Sequence, residues 1–217
     1  MSACDSDDRS LSAEIASWAA DDVAPRSLLE IFLFEELAAP KAQSIWAELE
    51  LAGRTEPQDL VALSPDELAV LTGVAPSAGR GWARRLIALA RWWAEAGDTA
   101  SRSTESLREE LRGLRFGGPQ LIDAMLLDGL DRAVYPVDRG TYRVLVRHGW
   151  IEREAGYDEA RSWVEQLGCG NPERLRKLRG GFKTIARRWC RVNSACCREC
   201  PIRGWLPQSG PLLDEDG

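Results

Sequence analysis

Residues 114–144 read L-R-F-G-G-P-Q-L-I-D-A-M-L-L-D-G-L-D-R-A-V-Y-P-V-D-R-G-T-Y-R-V. Gly117, Gly118 and Pro119 punctuate the first half, as at the junction of two short helices. The pattern on either side predicts helices over 103–112 and 119–128. The second half runs through an apolar stretch to Asp138, a residue type that caps a following helix, here expected over 139–148.

Helical signals continue outward from this stretch. S-L-L-E-I-F-L-F-E-E-L (27–37) reads as a mostly buried helix. Pro40 stands at the next helix start, and that helix runs to about Leu51. In L-S-P-D-E-L-A-V-L-T-G (63–73), Ser64 is placed as N-cap and Pro65 at the first helical position. Glu67 follows three residues after the cap, and Gly73 lies past the end. Residues 79–96 carry Trp82, Leu86, Leu89, Trp92 and Trp93 at helical spacing, and further helices are expected over 157–167 and 172–189. No segment alternates with period two. The expected fold is nearly all α with short connections. The nine tryptophans are expected to fill core and interface rather than to stack on a ligand.

The chain has 217 residues, a net charge of −6, and no run near the ~20 apolar residues of a membrane span. Its acidic start, M-S-A-C-D-S-D-D, lacks the basic-then-apolar order of a signal peptide. A cytoplasmic location is expected, beside the nucleoid in a bacterium, with no membrane partner and a monomeric state. The charge is unevenly spread. Residues 1–23 hold six acids and one base, and an acidic tail occupies 212–217. Residues 172–203 hold ten bases against two acids. Such a segment can hold a phosphate backbone on an acidic protein, and reads equally as a solvated helix face.

Four of six cysteines fall within 190–200: Cys190, Cys196, Cys197 and Cys200. Reducing conditions favour thiolate metal ligands over disulfides for this cluster. Cys4 and Cys169, far away in sequence, are expected to be free thiols. The single histidine, His148, lies near a helix end and is expected to be structural; one histidine excludes a multi-His metal site and argues against a Ser-His-Asp mechanism. No Gly-rich phosphate loop, G-x-S-x-G elbow or H-E-x-x-H helix is present.

Taken in order, L-R-F-G-G-P-Q-L-I-D-A-M-L-L, V-Y-P-V-D-R-G-T-Y-R-V and the terminal cysteines resemble the endonuclease III family of helix-hairpin-helix DNA glycosylases. The family pattern is L-P-G-V-G-x-K-T-A, then V-D-T-H-x-x-R-V, then C-x6-C-x2-C-x5-C. The resemblance spans roughly residues 24–206. It implies two helical domains with a DNA-binding cleft between them. One is a six-helix domain over 24–132, with the hairpin at about 107–128. The other, 1–23 plus 133–211, carries the catalytic aspartate and the cysteines.

Residue by residue, the resemblance assigns Asp138 as the catalytic carboxylate, with Val137, Arg143 and Val144 in its matching surroundings. The family's lyase lysine precedes that aspartate by 18 positions, which falls on Gln120. The implied enzyme removes a damaged or mismatched base from double-stranded DNA by hydrolysis, without lyase activity. Phe116 replaces the hairpin's first glycine; Phe116, Gly117 and Gly118, with Lys183, Arg187 and Arg188, are the implied DNA contacts. Cys190, Cys197 and Cys200 match the first three ligands of a [4Fe–4S] cluster. The fourth position is Leu206, and Cys196 is an extra thiol beside Cys197. A cluster with an atypical fourth ligand, a zinc site and a metal-free segment therefore all stay open, as does a catalytically degenerate DNA-binding protein of the same fold. A metal-dependent protein–protein module is a third, more distant alternative.

Overall fold

The computed structural model describes residues 6–19 and 26–212, with side chains from residue 10 onward. It divides into two compact units. One is Pro25–Leu130; the other joins Met1–Ala24 to Asp131–Gly217. Among the described residues there is no sheet, only an isolated bridge between Cys190 and Ala195. No helix among them is long and apolar enough to cross a membrane.

The Pro25–Leu130 unit starts with α2 (Leu28–Glu36), numbered after α1 (Ser6–Ala16) of the other unit. Ser27 caps it, its hydroxyl oxygen accepting from Glu30 N at 3.2 Å. Leu28, Leu29, Ile31, Phe32 and Leu33 are buried on nearly every side of this helix. Each such side chain contributes about 1.5–3 kcal/mol on leaving water. Then follow α3 (Ala39–Leu51), α4 (Pro57–Val61), α5 (Pro65–Leu71) and α6 (Pro76–Glu95). The capping box at Ser64 forms as expected: Ser64 Oγ accepts from Glu67 N at 3.2 Å, and Glu67 Oε2 accepts from Ser64 N at 2.7 Å. The helix expected from residue 79 begins earlier, at Pro76, because proline is tolerated in a first turn. Trp82, Ala83, Leu86, Leu89 and Ala90 form its buried stripe. Trp92 and Trp93 lie at the margin of that stripe, stacked with ring centroids 6.0 Å apart.

Helices α7 (Thr104–Gly113) and α8 (Pro119–Ala124) close the unit, and α8 runs on as a π-helical turn over Met125–Gly129. Arg108 Nε donates to Asp123 Oδ1 at 3.0 Å, with Asp123 buried, so a charge pair clasps the two helices. Between them Arg115 takes a left-handed conformation (φ 51°) and reverses the chain.

The second unit contains α1, α9 (Arg139–Arg147), α10 (Tyr157–Gly168) and α11 (Pro172–Arg188), ending in single 3-10 turns at Cys197–Glu199 and Pro201–Trp205. Its closest helix crossing is at Gly181. A Cβ there would fall 1.9 Å from the carbonyl oxygen of Ile15, so only glycine lets α1 lie on α11. Tyr135 and Phe182 meet edge-on inside the unit, centroids 6.2 Å apart. Trp150 stacks on Trp163 at 4.9 Å, and Trp18 meets Trp189 edge-on at 4.9 Å. Tryptophan acts here as packing material, as expected.

One expectation is corrected. Cys169 is disulfide-bonded rather than a free thiol. Which cysteines pair cannot be read from their spacing alone. Cys4, its companion in that expectation, lies outside the described residues, as do 1–5 of the acidic start and 213–217 of the acidic tail.

Candidate active site and cysteine segment

Asp138 is the N-cap of α9, with extended backbone (φ −93°, ψ 168°). Its Oδ1 accepts from Thr141 N at 2.6 Å. The cap fixes the carboxylate at the positive end of a helix, where negative charge is favoured. Thr141 is held in turn by the hydroxyl of the buried Tyr135, 3.1 Å from its Oγ1.

Gly140 follows in the first turn. A Cβ on it would lie 2.9 Å from Cβ of Ala186 and 3.3 Å from Asp138 Oδ1. Helix α11 therefore sits directly against the head of α9. Beside this contact opens a cavity of about 380 Å³ whose lining includes Asp138, Gly140, Arg143, Lys183, Arg187 and Arg191. One carboxylate thus shares a pocket with four basic side chains, all from one compact unit. Arg143 is anchored by its own bonds: Nε donates to Cys190 O at 2.7 Å and Nη2 to Ala186 O at 3.4 Å.

The structure brings together three of the sequence-assigned residues, Asp138, Lys183 and Arg187. Arg188 is exposed and lies over the Trp189 ring, 5.9 Å from its centroid. The ten bases of 172–203 do not form one surface. Arg176 and Arg179 are buried, and Arg176 pairs with Asp131. Lys177 is tied to Glu173 at 2.7 Å one turn away. Arg143, which the resemblance sets in the surroundings of Asp138, shares this pocket, and Arg191 joins it without a motif to mark it. The sequence signal was faint: a glycine two places after Asp138, and Lys183, Ala186 and Arg187 spaced for one helix face.

Phe116, Gly117, Gly118 and Gln120 belong to the other unit. The Phe116 side chain is 1% exposed and meets Phe32 edge-on at 6.1 Å, while its carbonyl accepts from Arg85 Nη1 at 2.8 Å. It is a core residue, so what the hairpin tip offers to solvent is the backbone of Gly117 and Gly118. Gln120, in the first turn of α8, donates from Nε2 to Glu35 Oε2 at 3.1 Å. Glu35 carries no sequence signal of its own, being one of three acids, with Glu30 and Glu36, on an otherwise apolar helix.

Cys190, Cys196, Cys197 and Cys200 are all free thiols. Cys190 and Cys200 are buried, Cys197 half-buried and Cys196 exposed. Burial, with Cys190 close by, pushes the Cys197 thiol up. Burial first, then Cys190 and Cys197, pushes Cys200 up to about 11. Three thiols therefore feel one another. Even so, among the described residues no three His, Cys, Asp or Glu side chains are arranged to hold a metal ion. Leu206 stands at the family's fourth ligand position, so Cys190, Cys197 and Cys200 keep three positions of that pattern and a fourth donor would be atypical. The segment is instead gathered by the buried Arg147. Its Nη1 donates to Arg191 O at 2.6 Å and approaches Cys190 Sγ at 3.5 Å, and its Nη2 donates to Val192 O at 2.9 Å.

No family model matches the chain. The "Putative DNA repair glycosylase MJ1434" of Methanocaldococcus jannaschii is 31% identical over 102 residues, 47% of this chain and 46% of that protein. The match thus spans about half of each. Solved structures extend the likeness over nearly the whole length. A non-covalent endonuclease III–DNA complex superposes with a TM-score of 0.69 at 17% identity, covering 92% of this chain and 94% of that one. A trapped endonuclease III–DNA covalent intermediate gives 0.67 at 18%, covering 91% and 92%. A thermostable thymine-DNA glycosylase gives 0.67 at 17%, covering 89% and 93%. The chain has the all-α fold of the endonuclease III-type, helix-hairpin-helix DNA glycosylases and resembles them.

Proposed function

We propose that the chain is a DNA glycosylase that acts on double-stranded DNA bearing a damaged or mismatched base and releases that base by hydrolysis. The observation that carries this reading is the Asp138 carboxylate, capped at the head of α9 and sharing a pocket with Arg143, Lys183, Arg187 and Arg191. Excision takes the base out of the stack, at a cost of a few kcal/mol. As the glycosidic bond breaks, positive charge develops at C1′. A fixed carboxylate stabilises that charge, and it also orients the attacking water. The cap uses one carboxylate oxygen of Asp138, which leaves the second for this work. The neighbouring cations suit the phosphates on either side of the extruded nucleotide, which they hold without reading sequence.

Base release needs no enzyme amine in this scheme, consistent with glutamine at position 120. The backbone of Gly117 and Gly118 serves as the hairpin's phosphate grip. A [4Fe–4S] cluster would be structural: Cys190, Cys197 and Cys200 would hold it, with a fourth donor from Cys196 or a non-thiol group. No step of the reaction passes through it.

A second reading, a DNA-binding protein without chemistry, is favoured by the Gln120–Glu35 bond at the place of the family's lysine. Duplexes bearing varied lesions, incubated with the protein and then treated with hot alkali, separate the two. Base release leaves alkali-labile breaks at the lesion. Binding alone leaves the strands intact and overturns the enzymatic reading.

A further inference from the structure

Phe116 stands at the place of the hairpin's first glycine, and its side chain turns inward against Phe32. Its carbonyl lies between α7 and α8, one residue after the left-handed Arg115. A carbonyl there is outside the repeating bonds of either helix, so a tertiary partner has to orient it. That partner is Arg85 of α6, whose Nη1 donates to Phe116 O at 2.8 Å. The same Nη1 donates to Glu36 Oε2 in the last turn of α2. The guanidinium carbon lies 5.5 Å from the centroid of the Phe32 ring. One side chain thus joins α6, α2 and the hairpin, all within the Pro25–Leu130 unit. Bonds from a charged donor are stronger than neutral ones, and the Glu36 side chain is only 21% exposed, which spares the pair part of the screening by water. The next residue is held from another side. A Cβ on Gly117 would stand 2.4 Å from Leu121 Cδ2, whereas one on Gly118 would meet nothing within 4 Å. The tip is therefore fixed along its inner edge and bare at Gly118.

We infer that Arg85 is a positioning residue of the hairpin's DNA grip: with Glu36 it locks the Phe116 carbonyl, so that the backbone of Gly117 and Gly118 holds one conformation before DNA arrives. This rests on the glycosylase reading and adds how a hairpin without its first glycine keeps a phosphate-binding shape. A glycine reaches such a shape through conformational freedom, and ordering it on binding costs free energy. Here the fold does the ordering in advance. The inward Phe116 ring and the Arg85 clamp take over what the glycine would supply. Arg85 acts through the backbone and not on DNA, because its guanidinium is engaged by Phe116 O, Glu36 and the Phe32 ring. Glu36 separates this account from simple charge. On an acidic chain, an acid beside a DNA-binding tip repels phosphate. As half of the clamp, the same acid favours binding.

The test uses the full chain and two fluorescein-labelled duplexes, one undamaged and one with a preformed abasic site, so it does not depend on which lesion is excised. Affinity is read by fluorescence anisotropy over a salt series. Urea midpoints measured in parallel refer each affinity to folded protein, which a merely structural role would leave unchanged. Arg85→Met should weaken binding of both duplexes at least about 5-fold, the scale of a lost preorganisation. Its log–log salt slope should stay at the parent's value, because no phosphate contact is removed. Glu36→Gln is nearly isosteric and exchanges a charge-assisted bond for a neutral one, so it should weaken binding at least about 2-fold. Hydrogen exchange at the Gly117 and Gly118 amides should quicken in both variants without DNA. Glu36→Gln binding as tightly as the parent, or tighter, overturns the inference and leaves the glycosylase reading intact. So does a salt slope that falls by about 0.9 in Arg85→Met, which would make Arg85 a phosphate contact. A parent that binds neither duplex overturns both.

Discussion

Gly140 and Ala186 touch with no room between them: a Cβ on Gly140 would stand 2.9 Å from that of Ala186. The contact sets where α11 lies relative to Asp138 and so fixes the pocket. Gly140→Ala should cost about 1–3 kcal/mol, the scale of overpacking a tight contact. The check is a lower urea midpoint with unchanged slope. Gly204→Ala, with nothing within 4 Å of its added Cβ, should stay within about 0.5 kcal/mol of the parent.

Arg147 is the pin of the cysteine segment. Its guanidinium satisfies the carbonyls of Arg191 and Val192 beside Cys190. Arg147→Met should remove both bonds, each on the scale of about 1.5–3 kcal/mol for a hydrogen bond to a charged group. Hydrogen exchange should quicken across 189–200 before it changes in α2 or α6. Arg147→Lys should recover only part of the loss, since an ammonium cannot reproduce the planar fork.

His148 supplies a pH dependence. Burial holds its pKa below the ordinary 6.5, so the folded chain keeps it neutral while the unfolded chain takes up a proton. Stability then rises with pH through this window and is lost as pH falls below 6.5. The carboxylates held low by their partners, Asp66, Glu67, Glu110 and Glu173, act below their ordinary 3.8–4.5 and leave the window clear. Denaturant midpoints between pH 7 and pH 5 should fall for the parent and stay flatter for His148→Phe. Equal slopes would contradict the assignment.

The cysteines divide by burial. Protein purified without oxygen should show broad absorbance near ~400 nm if thiolates hold an iron cluster. Cys190→Ser and Cys200→Ser should then abolish it. Cys196 is exposed, so Cys196→Ser is expected to keep the iron, which would assign the fourth position to a non-cysteine donor. Loss of the iron would make Cys196 the ligand. A colourless, iron-free protein would show that Arg147 and the surrounding packing hold the segment alone.

Much of this molecule was legible before its structure. The helices after Ser64 and Asp138 announce themselves through caps, and apolar spacing marks α2 and α6, because these signals act over one or two turns. What stayed hidden depends on distant residues. The burial of Phe116 follows from Phe32 and Arg85, and the pocket around Asp138 follows from a glycine meeting α11. The bond of Gln120 to Glu35 spans 85 residues of sequence. The run of bases at 172–203 looked uniform, yet α11 turns Arg176 and Arg179 inward and leaves Arg187 and Arg188 outside. Charge counts do not carry a helical phase.

The central claim is that the Asp138 carboxylate does chemistry as well as capping α9. Asparagine caps a helix about as well as aspartate, so Asp138→Asn removes the charge and keeps the fold. The decisive measurement is single-turnover base release by parent and Asp138→Asn on the lesion duplex that the parent cleaves best, read as alkali-labile strand breaks. The account predicts a loss of at least about 100-fold, the scale of a lost catalytic charge, with DNA binding and urea midpoint retained. Release at the parental rate by the asparagine variant would contradict it.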